Sequence, residues 1–234
     1  MIVVAEGDRW RLITQPDHAF FAGEILGLWR EAEVAENVRR GELIFAGREH
    51  DNGWREADAA PRWDEGRARP VDFMAMPGRE RRELWERGTA RYAAERPYAA
   101  LLITRHACEL HADRRGKEDW REFLEIMDER EEELREVTGA SEETAAADYR
   151  FLDLADRISL AACNASSRPF DYRGFRIHFH NPTVHLDPLP LAGATTFRVP
   201  CRYIPNRPYR GDADLVSELA AARWQDLTVK IAGP

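Results

Sequence analysis

The sequence predicts a mostly α-helical fold, a helical bundle with a small C-terminal β-sheet to which an N-terminal hairpin can add. Three features carry that expectation. Apolar residues recur at helical spacing from Thr14 to Asn164. Beyond Arg168 the pattern switches to alternation, with Phe175, Ile177 and Phe179 set against Arg176, His178 and His180. Prolines at 182, 188, 190, 200, 205 and 208 then divide that region into short or edge strands. Two units follow: residues 1–167, a helical body carrying a hairpin at 1–14, and residues 168–234, a β-rich extension packed on it.

The hairpin is read from Ile2–Val4 and Trp10–Ile13, separated by Gly7-Asp8. Thr14 can cap the first helix, Pro16 fits its first turn, and Asp17 suits its positive end. His18 keeps helical spacing with Phe21, Ile25 and Leu28, so it lies on the apolar stripe. After a polar stretch at 31–40, GELIFAGREHDNGW (41–54) reads as a short apolar helix ending in His50-Asp51 and a glycine turn. Leu43, Ala46, Gly47 and His50 share one face, and Ile44, Gly47 and Asp51 the next.

Residues 53–76 read as a long loop, of the kind that often lines a site. A charged helix with Leu84, Trp85, Gly88 and Tyr92 inward comes next, then the apolar helix PYAALLITRHACELHAD from Pro97. In the latter, Tyr98, Leu102, His106 and Glu109 form the stripe, while His111 falls at the frayed end and is read as exposed. Glu118–Val137 is a solvated charge run with Trp120, Phe123, Leu124, Met127 and Leu134 on its dry side. Ser141 caps a helix to Asn164, whose apolar face includes Tyr149, Leu152, Asp156, Ser159, Leu160 and Cys163. Strands at Val184–Leu186 and Phe197–Cys201, a helix from Asp212 to Trp224 and a strand Leu227–Ile231 close the chain.

Composition narrows the function. The formal charge of −8 gives no electrostatic support for nucleic acid or an anionic membrane. No apolar run approaches a membrane span, and the N-terminal run is short for a signal peptide. Three widely spaced cysteines suit a reducing cytoplasm better than a disulfide framework. A second copy of the chain remains open as a partner.

His18, His106 and Asp156 each stand on the inner face of a separate helix, and a fourth helix brings the His50–Asp51 pair. A buried carboxylate is costly unless something positive or hydrogen-bonding sits beside it. One metal ion would satisfy several of these groups at once, whereas a structural hydrogen-bond network would need a partner for each. Mixed His and Asp donors suit Mn, Fe, Zn or Mg.

His18 in QPDHAF, His50-Asp51 in REHDNGW and Asp156 in LADRIS together resemble the HD superfamily. More narrowly, QPDHA, HDNGW, LLITRHACEL and DRISLAACN are similar to a bacterial domain-of-unknown-function family regarded as HD-like. The resemblance covers roughly the first 165 residues, and the C-terminal sheet more loosely. It implies an HD-like helical bundle with one divalent ion held by His18, His50, Asp51 and Asp156. It also places His106 where a second-metal or phosphate-binding histidine occurs. The multi-histidine sets of two-metal members are incomplete here, which favours one ion over two.

The implied activity is that of a phosphohydrolase acting on a small phosphate ester or nucleotide. In it Asp51 would hold the metal and orient water, and Arg105 would neutralise the phosphoryl group. Glu56 would serve as general base or as a support to a metal ligand. Arg105 can equally be a surface ion pair, and Trp54 can stack on a base or simply pack. His178 and His180 can form a His-x-His pair or the polar side of a strand. A non-catalytic metal- or nucleotide-binding regulatory module is the alternative function.

Overall fold

The structure, a computed structural model, describes residues 1–234. Strands β1 (Ile2–Glu6) and β2 (Arg9–Ile13) form the N-terminal hairpin, turning at Gly7, whose φ of +63° is the left-handed conformation glycine tolerates. Thr14 then caps α1 (Gln15–Gly27): its Oγ1 accepts from the Asp17 amide at 3.1 Å. Thr14→Ala is expected to destabilise the fold by about 1 kcal/mol, readable in a denaturant titration.

A short turn of helix, α2 (Ala32–Ala35), leads to α3 (Arg40–Glu49). Helices α1 and α3 cross at two glycines. A Cβ on Gly23 would lie 2.2 Å from Arg48 Cγ and 2.7 Å from the Arg48 amide, and one on Gly47 would lie 3.1 Å from Gly23 Cα. Only hydrogen side chains let the two backbones approach this closely. That crossing brings His18 and the end of α3 together.

The stretch read as a loop is more structured. It holds a 3-10 turn at Asn52–Trp54, α4 (Arg55–Ala59), the two-residue strands β3 (Trp63–Asp64) and β4 (Arg69–Pro70), and a second 3-10 turn at Phe73–Ala75. Helices α5 (Gly78–Ala90), α6 (Pro97–Leu110), α7 (Glu118–Thr138) and α8 (Glu142–Cys163) complete the helical body. Ser141 caps α8 by accepting from the Thr144 amide. No helix is long and apolar enough to cross a membrane.

Strands β5 (Phe170–Tyr172), β6 (Phe175–His180), β7 (Thr183–Asp187) and β8 (Thr195–Pro205) follow, then α9 (Asp212–Ala221) and β9 (Trp224–Ala232). The expectation of a helical bundle with a small sheet is corrected here. About 52% of the chain is helical, and seven strands form one large curled mixed sheet. Its order is β1-β2-β8-β9-β7-β6-β5, with β7 and β9 the parallel pair.

The prolines do not confine β8 to a short edge piece. At Pro200, β8 is paired with β9 alone, and β2 joins from Arg202 onward. One side of the strand is open where the proline lacks its donor, so the long strand survives. The N-terminal hairpin then extends the sheet through the β2–β8 pairing.

One continuous apolar core ties helices to sheet. Phe21 of α1 meets Phe197 of β8 with ring centroids 5.2 Å apart, and Trp29 packs against Phe151 of α8 and Phe175 of β6. A smaller cluster under α7 joins Trp85, Cys108, Trp120 and Phe123. The sheet therefore backs α1 and α8, the two helices that carry His18 and Asp156.

Candidate metal centre

His18, His50, Asp51, His106 and Asp156 are all buried, and all come together. Donor atoms of His18, His50 and Asp51 lie within 4.8 Å of one another, as do those of His50, His106 and Asp156. The two groups share His50. Asp51 Oδ2 is 2.8 Å from His18 Nε2 and 3.6 Å from His50 Nε2, while Asp156 Oδ1 is 3.4 Å from His50 Nε2 and 3.8 Å from His18 Nε2.

The outer face of each ring is anchored. His50 Nδ1 lies 2.9 Å from the Gly47 carbonyl, which only accepts, so Nδ1 carries the proton. His18 Nδ1 lies 2.8 Å from Ser159 Oγ, whose own hydrogen goes to the Asp156 carbonyl, so His18 Nδ1–H is again the donor. His106 Nδ1 meets the Tyr149 hydroxyl at 3.3 Å. In a neutral His18 or His50 the Nε2 lone pair then faces the shared carboxylates. His50 Nε2 is buried and meets no partner in hydrogen-bond geometry. A cation between these nitrogens and carboxylates resolves both the orphaned atom and the lone-pair opposition, so the residues present fit a metal ion.

The electrostatics agree. Burial opposes a charged His50, but Asp51 and Asp156 beside it hold the imidazole up at about 9. Burial opposes charge on Asp51 and Asp156 too, yet the surrounding histidines keep both below the usual carboxylate range. Burial, and then His50, push His106 down to about 4, so it is a neutral donor. Without metal the cluster is stitched by protons, and each carboxylate is ionised and ready to ligate.

Ser159→Ala should weaken metal binding by about 10- to 100-fold while leaving the ligands in place, because it frees the His18 ring. Titration with Mn²⁺ against a chelating competitor reads this directly.

The cluster is the floor of a cavity of about 320 Å³ lined by His18, Asp51, His106 and Asp156, with Trp54, Phe73 and Trp85 as aromatic walls. Trp54 is packed in place, buried against Phe73 with ring centroids 6.4 Å apart.

Two expected catalytic groups are not brought in. Arg105 follows one residue before His106, about 100° round α6, and turns toward α7 and α8. There it pairs with Glu131 at 3.0 Å and Glu142 at 2.5 Å. Glu56 stands on the exposed side of α4, held by Arg87 at 3.1 Å and Arg91 at 2.6 Å. Its carboxyl is kept below the usual range: desolvation opposes this, but the hydrogen bond from its own backbone amide and the Arg91 and Arg87 guanidiniums together prevail. His178 and His180 lie on the outer face of β6 beside His185 of β7 and join neither donor group.

The sequence reading missed His111, Arg81 and Arg114, all of which line the cavity. His111 is buried rather than exposed, stacked on Trp120 with centroids 4.5 Å apart. Its Nδ1 lies 2.8 Å from the Ala107 carbonyl, which closes α6. Trp85 and Trp120 flanking a helix-terminal histidine were the available signal. Ser159 and Tyr149 were legible as members of the α8 stripe, but not as ring anchors.

The model of the family described as Protein of unknown function (DUF3891) matches residues 1–206. No curated protein and no solved structure matches the chain. With that model covering all but the last part of its 234 residues, the chain belongs to the DUF3891 family.

Proposed function

We propose that this chain is a metal-dependent phosphohydrolase of HD type, acting on a small phosphate ester or nucleotide. The observation that carries the reading is the His18, His50, Asp51 and Asp156 set on a cavity floor, with His50 Nε2 left without a partner. These four residues would hold one divalent ion, Mn, Fe, Zn or Mg, with His106 as a further donor on the Asp156 side. When bound, such an ion acidifies water and polarises a phosphoryl oxygen.

The chain's own residues do the rest. Ser159 and the Gly47 carbonyl fix the ring tautomers, so that Nε2 of His18 and His50 faces inward. Asp51 and Asp156, ionised, can accept hydrogen bonds from a water at the cavity floor and so orient it. Neutral His106, braced by Tyr149 through Nδ1, keeps its other nitrogen for the Asp156 side of the donor set. Trp54, Phe73 and Trp85 keep the floor dry, which strengthens every charge interaction there. We place the protein in the cytoplasm, where its three free buried cysteines stay reduced.

One observation favours the other reading, a binding module without turnover: neither Arg105 nor Glu56 reaches the cavity. Elemental analysis of protein purified without chelator, followed by a phosphate-ester screen with the ion found, separates the two. Near-stoichiometric metal with phosphate release supports the hydrolase. Metal without release, after Mn²⁺, Fe²⁺, Zn²⁺ and Mg²⁺ have each been supplied, leaves the binding module. Absence of metal after those additions removes both.

A further inference from the structure

We propose that the same cavity has a second, anion-reading end built by Arg81 and Arg114, so that its ligand carries an anionic group away from the metal-bound phosphate. The inference rests on the reading that a phosphate ester occupies this cavity. Arg81 comes from α5 and Arg114 from the 3-10 turn Ala112–Arg114 after α6, and both are half-buried on the cavity lining.

Both line the concave site without a carboxylate partner. Most arginines here are matched with carboxylates, as in Arg105 with Glu131 or Arg115 with Asp128. Neither Arg81 nor Arg114 makes an ion pair, in a chain with 42 acidic and 34 basic residues. Arg81 Nη2 donates to three backbone carbonyls, those of Phe73, Met74 and Met76, at 3.4, 2.9 and 3.1 Å. Carbonyls orient the guanidinium without neutralising it. Its Nε is buried and has no partner. Arg114 makes no side-chain hydrogen bond and lies over the Trp120 ring at 5.0 Å, which holds the cation but leaves its donors free.

Two uncompensated cations share a wall of a concave site, and Arg114 lowers the affinity of Arg81 for its proton. Burial and Arg114 together bring Arg81 below its ordinary value, and burial, then Arg81 and Arg114, press His111 down to about 4. A half-buried cation without a counterion is costly. An anionic ligand group supplies the counterion, and a guanidinium pair offers the fork geometry that carboxylate and phosphate accept. Trp85 touches His106 of the donor set on one side and, on the other, His111, which stacks on the Trp120 ring that Arg114 covers; Phe73 gives its carbonyl to Arg81. The ligand class is therefore a small phosphate ester whose apolar or flat body carries a second carboxylate or phosphate.

Non-hydrolysable phosphonates test this by binding rather than turnover. Calorimetric affinities of the Mn²⁺-loaded protein are compared for phenylphosphonate, 4-carboxyphenylphosphonate and 1,4-phenylenebisphosphonate. Wild type is expected to bind one or both doubly anionic compounds about tenfold or more tighter than phenylphosphonate, and the better of them identifies the second group. In Arg114→Gln that preference should fall below about threefold, with phenylphosphonate affinity unchanged. Arg81→Lys should retain part of it and Arg81→Gln little. A fold defect would weaken all three compounds together, so the selective loss reads the arginines alone. Equal affinities in wild type, or a preference that survives in both Arg81→Gln and Arg114→Gln, overturns the inference and leaves the hydrolase reading standing. A preference lost in these variants, in a protein that releases no phosphate from any ester, keeps the anionic end and removes the hydrolase. Failure of all three compounds to bind the metal-loaded protein overturns both.

Discussion

Asp51→Asn is expected to leave the fold intact, to abolish metal retention, and to cut phosphate-ester hydrolysis by about 10³-fold or more. The substitution keeps the shape of the side chain and removes its charge. Asp51 Oδ2 lies 2.8 Å from His18 Nε2 and 3.6 Å from His50 Nε2, and with Asp156 it supplies the two negative charges of the donor set. An asparagine oxygen can still accept from a histidine, so the packing survives. It is a far weaker ligand for a divalent ion. The ion's stabilisation of phosphoryl charge amounts to several kcal/mol, and each ~1.4 kcal/mol is tenfold in rate. Thermal melts with chelator present check the fold, and kcat/KM at limiting and saturating Mn²⁺ checks the chemistry. Turnover equal to wild type in metal-stripped variant would remove Asp51 from the mechanism.

Gly53→Ala carries the largest expected effect on stability, about 3 kcal/mol. A Cβ there would sit 2.1 Å from the Leu84 carbonyl oxygen and 3.2 Å from Gly88 Cα. These are backbone atoms of α5, and no flexible side chain can swing aside. The strain must move either α5 or the Asn52–Trp54 turn, and over-packing of this kind costs ~1–3 kcal/mol, sometimes more. The turn begins directly after Asp51, so metal affinity should fall along with the unfolding midpoint. Gly41→Ala is the contrast. Nothing lies within 4 Å of its Cβ position in the first turn of α3, so alanine should stabilise by ~0.5–1 kcal/mol. Chemical denaturation of both variants reads the difference; a Gly53→Ala protein as stable as wild type would show that the contact with α5 yields freely.

The donor residues were legible because burying a carboxylate or imidazole breaks a pattern. Asp156 interrupts an otherwise apolar stripe of α8, and His18, His50 and His106 stand where core side chains belong. Helical periodicity alone therefore nominated all five donors that the tertiary structure gathers. Adjacency along the chain, which nominated Arg105 and Glu56 as catalytic partners, did not place them in the cavity. Arg105 neighbours His106 in sequence and faces away from it in space, because successive helical residues point about 100° apart. Glu56 follows the doublet closely and is drawn to Arg87 and Arg91 across α5 instead.

Individual strands were legible too, since alternation is local, but the size of the sheet was not. Its seven strands gather residues from both ends of the chain, and β2 lies beside β8 across nearly two hundred residues. Prolines weakened the reading of β8, yet what a proline costs depends on whether a neighbour is waiting for its donor, and at Pro200 one side is open. His111, Arg81 and Arg114 escaped for the same reason. A polar residue at a helix end or on a charged helix looks solvated until another element covers it. Local periodicity thus settled which residues turn inward, because it depends only on spacing along one helix or strand. Which inward residues meet, how large the sheet grows, and which charges go unpaired depend on contacts distant in sequence, and those were decided by the packing of α1 and α8 against the sheet and of α3 and α6 against those two helices.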